Sequence, residues 1–157
     1  MPDDLYERDA LAWSEQQAAL LRRVARGELV NDIDWAHVVE EIEDVGLTQL
    51  NAVHSYLRQM LFHLLKLHGW PHLTACHHWR TEIVAFQADA GQRFSPSMRQ
   101  RTDLDKIYGL ALRQVARVHL SDGLARSSPD ACPVTLDQLL RAEPEDLEAA
   151  FQTASNH

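Results

Sequence analysis

The sequence predicts an all-α chain: a four-helix-bundle-like single domain over residues 1–157, closed by a short C-terminal helical clip. Three observations point there. Alanine and leucine supply 41 of the 157 residues (19 and 22), while valine, isoleucine and threonine together supply 20. Ala and Leu lose little rotamer freedom on a helix, and the β-branched residues that fill strands are scarce, so an all-β sandwich or barrel is excluded. Apolar residues recur at three- and four-residue spacing in four segments, and helix-ending or helix-starting residues stand between them. The length suits one core, since domains run to about 150 residues.

The first helix carries Ala10, Trp13, Leu20 and Val24, with Gln17 filling the remaining place in the stripe. Asp3, Asp4, Glu7 and Asp9 oppose the positive end of its dipole and Arg22, Arg23 and Arg26 the negative end, with Gly27 just past its C-cap. The second begins at a cap, Asp34, with Ile33 and Val38 as a hydrophobic staple. Its stripe is long: Trp35, Val38, Val39, Ile42, Val45, Leu50, Val53, Leu57, Met60, Leu61 and Leu64, to about His68. Gly46 interrupts this stripe, and the favoured reading is one helix packed closely at that glycine rather than two helices with a bend.

Gly69-Trp70-Pro71 ends that helix, because proline cannot continue it. Leu73, Cys76, Trp79, Ile83, Phe86 and Ala90 mark the third, with Gly91 near its end. Ser95 and Pro96 read as N-cap and first position of the fourth, whose stripe is Leu104, Ile107, Ala111, Val115 and Val118 and whose end is Asp122-Gly123. A loop with Ser127-Ser128-Pro129-Asp130 follows. Thr135-Leu136-Asp137-Gln138 fits a capping box opening the terminal clip, and Glu143-Pro144-Glu145-Asp146 starts a further turn or two carrying Leu147 and Phe151. Residues 152–157 read as a loose tail.

The formal net charge is -8, from 15 Lys and Arg against 23 Asp and Glu, which argues against a surface that grips phosphate backbones throughout. The charge is patterned: by segment, residues 1–30 carry -2, 31–57 carry -6, 58–117 carry +5 and 118–157 carry -5. The acidic start of the second helix thus has a basic middle of the chain to pair with. No segment approaches the apolar length of a membrane span, and Met1-Pro2-Asp3-Asp4 does not open a secretory leader, so the expected location is cytoplasmic. Cys76 and Cys132 lack the spacing of a zinc ribbon or disulfide scaffold and read as packed, reduced thiols.

Chemistry has few places to sit. Glu40 and Glu43 lie one helical turn apart, near enough to share a cation. Bundle di-metal sites, however, use Glu-x-x-His motifs, and this chain has none. Five of nine histidines, His63, His68, His72, His77 and His78, cluster around the Gly-Trp-Pro turn, but Pro71 breaks the alignment a ligand pair would need. His63 flanks the second helix's stripe, where a buried ring needs a partner and acids of another helix could supply one. Arg80, beside the core-facing Trp79, is expected to pair with Glu40 and Glu43. No nucleophile elbow or glycine-rich phosphate loop is present.

Tyr6-Glu7 with Asp9 and Trp13, then Glu40-Glu41-Ile42-Glu43 before Gly46, His63-Leu64-Leu65-Lys66, Trp79-Arg80 with Ile83, and Cys132-Pro133 with Thr135-Leu136 and Leu139-Leu140 form an ordered set. Over residues 5–141 that set resembles the bacterial family catalogued as domain of unknown function 29. The resemblance implies a mainly helical bacterial protein and brings no activity, cofactor or catalytic residue to transfer. Val134 stands where such proteins often have Trp, and Leu67 where they have Trp after Lys66; Trp70 can replace that packing.

The residues thus favour a non-enzymatic helical interaction module that binds another protein or a second copy of itself, with no cofactor, no membrane and no nucleic acid as partner. The alternative is a metal-dependent or acid–base enzyme using Glu40, Glu43 and His63, all three also candidate metal ligands, with Arg80 as anion clamp. A nucleic-acid reading rests only on Arg93, Arg99, Arg101, Lys106, Arg113 and Arg117, which no recognition signature accompanies.

Overall fold

The computed structural model describes residues 5–118 and 126–155, and among these every regular element is helical. Asp3, Asp4 and Asp122-Gly123, assigned above to helix ends, lie outside the described residues. The chain forms two compact units, residues 1–47 and 48–157, and the helix α3 (Trp35–Gly69) contributes to both.

The first unit contains α1 (Leu5–Arg8), α2 (Ala10–Ala25) and the start of α3. Asp9 caps α2 by accepting from the Ala12 N–H at 3.0 Å. Gly27, at φ 86°, closes it: its N–H reaches the Val24 carbonyl and that of Glu28 the Arg23 carbonyl, a Schellman pattern that only a residue tolerant of positive φ makes without strain. Trp13 and Gln17 are buried, Leu20 is half-buried, and Ala10 and Val24, at the ends of the expected stripe, are exposed. The core is Trp13, Ile33 and Val38, with Leu5, Tyr6, Leu20, Leu21 and Val30 against it. Ile33 and Val38 are the expected staple around Asp34.

α3 runs 35 residues without a break, about 50 Å at 1.5 Å per residue. The expectation of one helix through Gly46 holds, but that of close packing there does not, since a Cβ on Gly46 would meet nothing within 4 Å. A glycine at an open mid-helix position only loosens the unfolded chain. Gly46→Ala is therefore expected to stabilise the protein by about 0.5–1 kcal/mol, read from the urea midpoint.

The second unit packs the remainder of α3 with α4 (Cys76–Arg93), α5 (Leu104–Val115), α6 (Leu136–Arg141) and α7 (Pro144–Ala154). From Leu50 the apolar stripe of α3 turns inward: Val53, Leu57, Met60, Leu61, Leu64 and Leu65 are fully or nearly fully buried, against Trp79, Ile83, Ala90, Ile107, Ala111, Leu139, Leu147 and Phe151. Leu73 lies in the turn before α4, and Cys76 donates its S–H to the Trp70 carbonyl at 3.2 Å. Both cysteines are free.

The fourth helix does not start at Pro96. Pro96–Arg101 form a 3-10 helix, Thr102 is extended, and α5 begins only at Leu104. The cause is a second capping residue: Asp103 accepts from the Lys106 N–H at 3.2 Å, while the Thr102 hydroxyl turns back to the Met98 carbonyl at 2.8 Å. Tyr108, outside the expected stripe, is buried and donates to the Pro129 carbonyl at 2.5 Å.

The clip forms as read, with both bonds of the Thr135–Gln138 capping box in place. Gln87 of α4 donates to the carbonyls of Leu139 and Ala142, satisfying the C-terminal end of α6. The chain expected to be loose from residue 152 is helical to Ala154. Ser155 lies 2.9 Å from His68 Nε2. That nitrogen also meets the Ser127 carbonyl at 3.1 Å, so it carries the proton, and the Ser155 hydroxyl passes its own to Phe151 O.

Candidate functional site

The residues singled out from sequence as a catalytic or metal group are not gathered in either unit. Glu40 and Glu43 belong to the first unit and are exposed; His63 and Arg80 belong to the second. Arg80 does not pair with Glu40 or Glu43. Its guanidinium takes Glu148 of α7 through Nε and Nη2 at 2.9–3.1 Å, because residue 80 of α4 faces a carboxylate that the sequence places 68 positions away. The half-buried Glu148 makes this pair a clamp between α4 and α7.

Among the described residues no acid is bonded to His63. Its ring stacks on Phe86 at 5.8 Å and lies near Phe62, and Nδ1 is buried without a partner. Burial, with the charges of Lys66 and His78, pushes its pKa down to about 4. A histidine whose folded pKa is depressed takes its proton later than the unfolded chain does. Its contribution to stability is therefore whole above the ordinary value of 6.5 and is lost as pH falls from there towards about 4. His63→Leu is expected to shrink the difference between urea midpoints measured at about pH 7 and about pH 4.5.

Among the described residues no group of three or more His, Cys, Asp or Glu side chains is arranged to hold a metal ion. His78 reaches Glu82 at 3.9 Å. Of the basic residues of the nucleic-acid reading, Arg99 is bound to Asp137 and Arg93 to Gln49, with Tyr56 beneath its guanidinium. Lys66 is buried over the rings of Phe62 and Trp79 at 4.4 and 4.6 Å.

What the first unit does assemble is a polar-aromatic clasp around the start of α3. Asp34 Oδ2 accepts from Trp13 Nε1 at 3.0 Å and from His37 Nδ1 at 2.6 Å, and Oδ1 takes the His37 backbone N–H at 3.4 Å. The Asp34 N–H is received by Gln17 Oε1 at 2.8 Å, which explains a buried glutamine in an apolar stripe. Tyr6 stacks on His37 with ring centroids 3.8 Å apart and donates to Glu41 at 2.6 Å. His37 holds the Asp34 carboxyl below its usual range, with Trp13 adding to the effect, and Asp34 in turn raises His37. Donation to Glu41 pushes the Tyr6 phenol up to about 12. His37 was not among the histidines that drew notice in the sequence. The only signal was its place three residues after a capping aspartate.

The clasp covers the side of α3 that carries Asp34, His37, Val38 and Glu41, and leaves the next side bare. Trp35, Val39, Ile42 and Val45 are 56, 50, 68 and 66% exposed. Trp35, Val39 and Ile42, spaced by four and three, form one ridge, with Val45 a turn further on. The ridge is flanked by Glu40, Glu43 and Asp44, which are exposed and form no ion pair among the described residues. The expected pairing of these acids with the chain's basic middle is not found among the described residues. An uncovered apolar ridge with an acidic margin can receive another helix.

No helix among the described residues is long and apolar enough to cross a membrane. The structure is similar to a solved alpha-helical protein of unknown function from Rhodospirillum rubrum, with a TM-score of 0.65 and 27% identity over 92% of this chain and 95% of that one. No curated protein matches the chain. The family described as Domain of unknown function DUF29 matches residues 5–143, a span that runs from α1 through α6 and stops before α7. The chain is a member of that family.

Proposed function

We propose that the protein is a non-enzymatic helical interaction module whose docking surface is the Trp35, Val39, Ile42 and Val45 ridge of α3. The exposure of that ridge is the observation that carries the reading, because isolated surface leucines and valines are ordinary whereas a helical ridge containing tryptophan is not. Its occupant is an apolar helix of another protein with lysine or arginine at its margins. The unpaired Glu40, Glu43 and Asp44 attract such margins. Two copies aligned along the same stretch would instead set these acids against one another. The module works without a cofactor and in the cytoplasm, where Cys76 and Cys132 stay thiols.

The test places a photo-crosslinking amino acid at Ile42 and, as control, at the exposed Ser14 of α2, in the native bacterium. A discrete adduct with a different protein is expected from position 42, absent from position 14 and lost in Val39→Glu, whose stability should change by less than about 0.5 kcal/mol. No adduct from position 42, or the same adducts from both positions, contradicts docking on the ridge. A product of twice the chain's mass contradicts a foreign occupant.

A further inference from the structure

We infer that a groove between α3 and the start of α5 in the second unit is a binding site for a small phosphate-bearing ligand. The groove, of about 510 Å³, is lined by Asn51, His54, Ser55 and Arg58 of α3 and by Arg101, Asp103, Lys106, Ile107 and Leu110, a size ordinary for small-molecule sites. Arg58, Arg101 and Lys106 bring three cations to it from three turns of chain. None of their side chains has a hydrogen-bond or ion-pair partner among the described residues, although the chain's arginines at positions 23, 26, 80 and 99 all have carboxylates. Arg58 is half-buried, and its guanidinium presents a planar fork of N–H donors that a ligand oxygen can meet.

The carboxylate on the rim forms no ion pair with them among the described residues. Asp103 is occupied in capping α5, accepting from the Lys106 backbone N–H. His54 is fixed: the Thr102 hydroxyl gives its proton to the Met98 carbonyl, so its oxygen accepts from His54 Nε2 at 3.1 Å. A guanidinium fork and a lysine around one concavity suit the tetrahedral oxygens of a phosphate dianion. Buried Ile107 and part-exposed Leu110 offer an apolar floor for the body that carries it. Burial and the nearby Arg101 hold the His54 pKa below its ordinary value; an anion seated beside them would raise it, which gives a readout separate from affinity.

The experiment titrates the full chain with inorganic phosphate, phenyl phosphate and a mixed oligonucleotide at constant ionic strength, following amide and His54 ring signals by NMR. Saturable binding of both phosphates is expected, tighter for phenyl phosphate, with the His54 pKa rising. Arg58→Gln and the surface variant Arg101→Gln should each weaken it about tenfold, while Arg113→Gln, which removes an exposed charge of α5 outside the groove, should change it less than about twofold. Arg101→Gln keeps the result readable if Arg58→Gln perturbs folding. No saturable binding at about 10 mM phosphate overturns the site. So does equal weakening by Arg113→Gln, an unmoved His54, or oligonucleotide binding that grows with length while phenyl phosphate fails to compete.

Discussion

Trp13→Ala is expected to release the first unit's clasp, costing about 3–5 kcal/mol of local stability. The indole is 6% exposed, meets Tyr6 edge-on with centroids 4.9 Å apart, and packs with Ile33 and Val38. Its Nε1–H is one of the two side-chain donors that hold Asp34 Oδ2. Alanine removes the ring and leaves that carboxylate one donor short. Amide hydrogen exchange should then accelerate across residues 10–25 and at the first turn of α3, with much less change from Leu50 onward. Trp13→Phe, which keeps most of the ring and loses the bond, should cost roughly 1–2 kcal/mol. Equal protection of α2 in wild type and Trp13→Ala would show that the clasp does not hold this helix.

Phe151→Ala is expected to produce the corresponding loss in the second unit, again about 3–5 kcal/mol, seen as a lower urea midpoint with an unchanged slope. Phe151 is 1% exposed and lies between the rings of His68 and Tyr108, each 6.4 Å away. With Leu147 it carries α7 into the core formed by Leu57, Leu61 and Leu64. Removing Arg80 from the clamp beside it should cost no more than about 1 kcal/mol, because Arg80 is about half-exposed and its pair is partly screened. The contrast between these two variants separates what packing does for the clip from what its ion pair does.

The helices were legible because their signals are local. Asp9, Gly27, Asp34 and the Thr135–Gln138 box each act through backbone groups within a few residues, and all four occupy the positions their chemistry predicts. Pro96 misled for the same local reason: a good first residue for a helix is also good for a 3-10 turn, and Asp103 was the stronger cap. The site was much less legible. Val39 and Ile42 look like Val53 and Leu57 in the sequence, and nothing in a helical period says which part of a long stripe will be covered. Arg80 found Glu148 rather than Glu40 or Glu43, and Tyr6 found Glu41 and His37, since such pairs are set by tertiary approach across tens of residues. From sequence alone Gly46 reads as a packing glycine, and only its surroundings show that it is open.

The uncovered ridge of α3 is best tested by hydroxyl-radical footprinting of the protein in intact cells and, separately, of the purified chain. In the purified chain Trp35, Val39, Ile42 and Val45 should oxidise readily, as should the exposed Leu11 and Leu29. If the ridge docks a partner, the four α3 residues become protected in cells while Leu11 and Leu29 do not; oxidation of all six to the same extent in both settings would contradict a docking ridge.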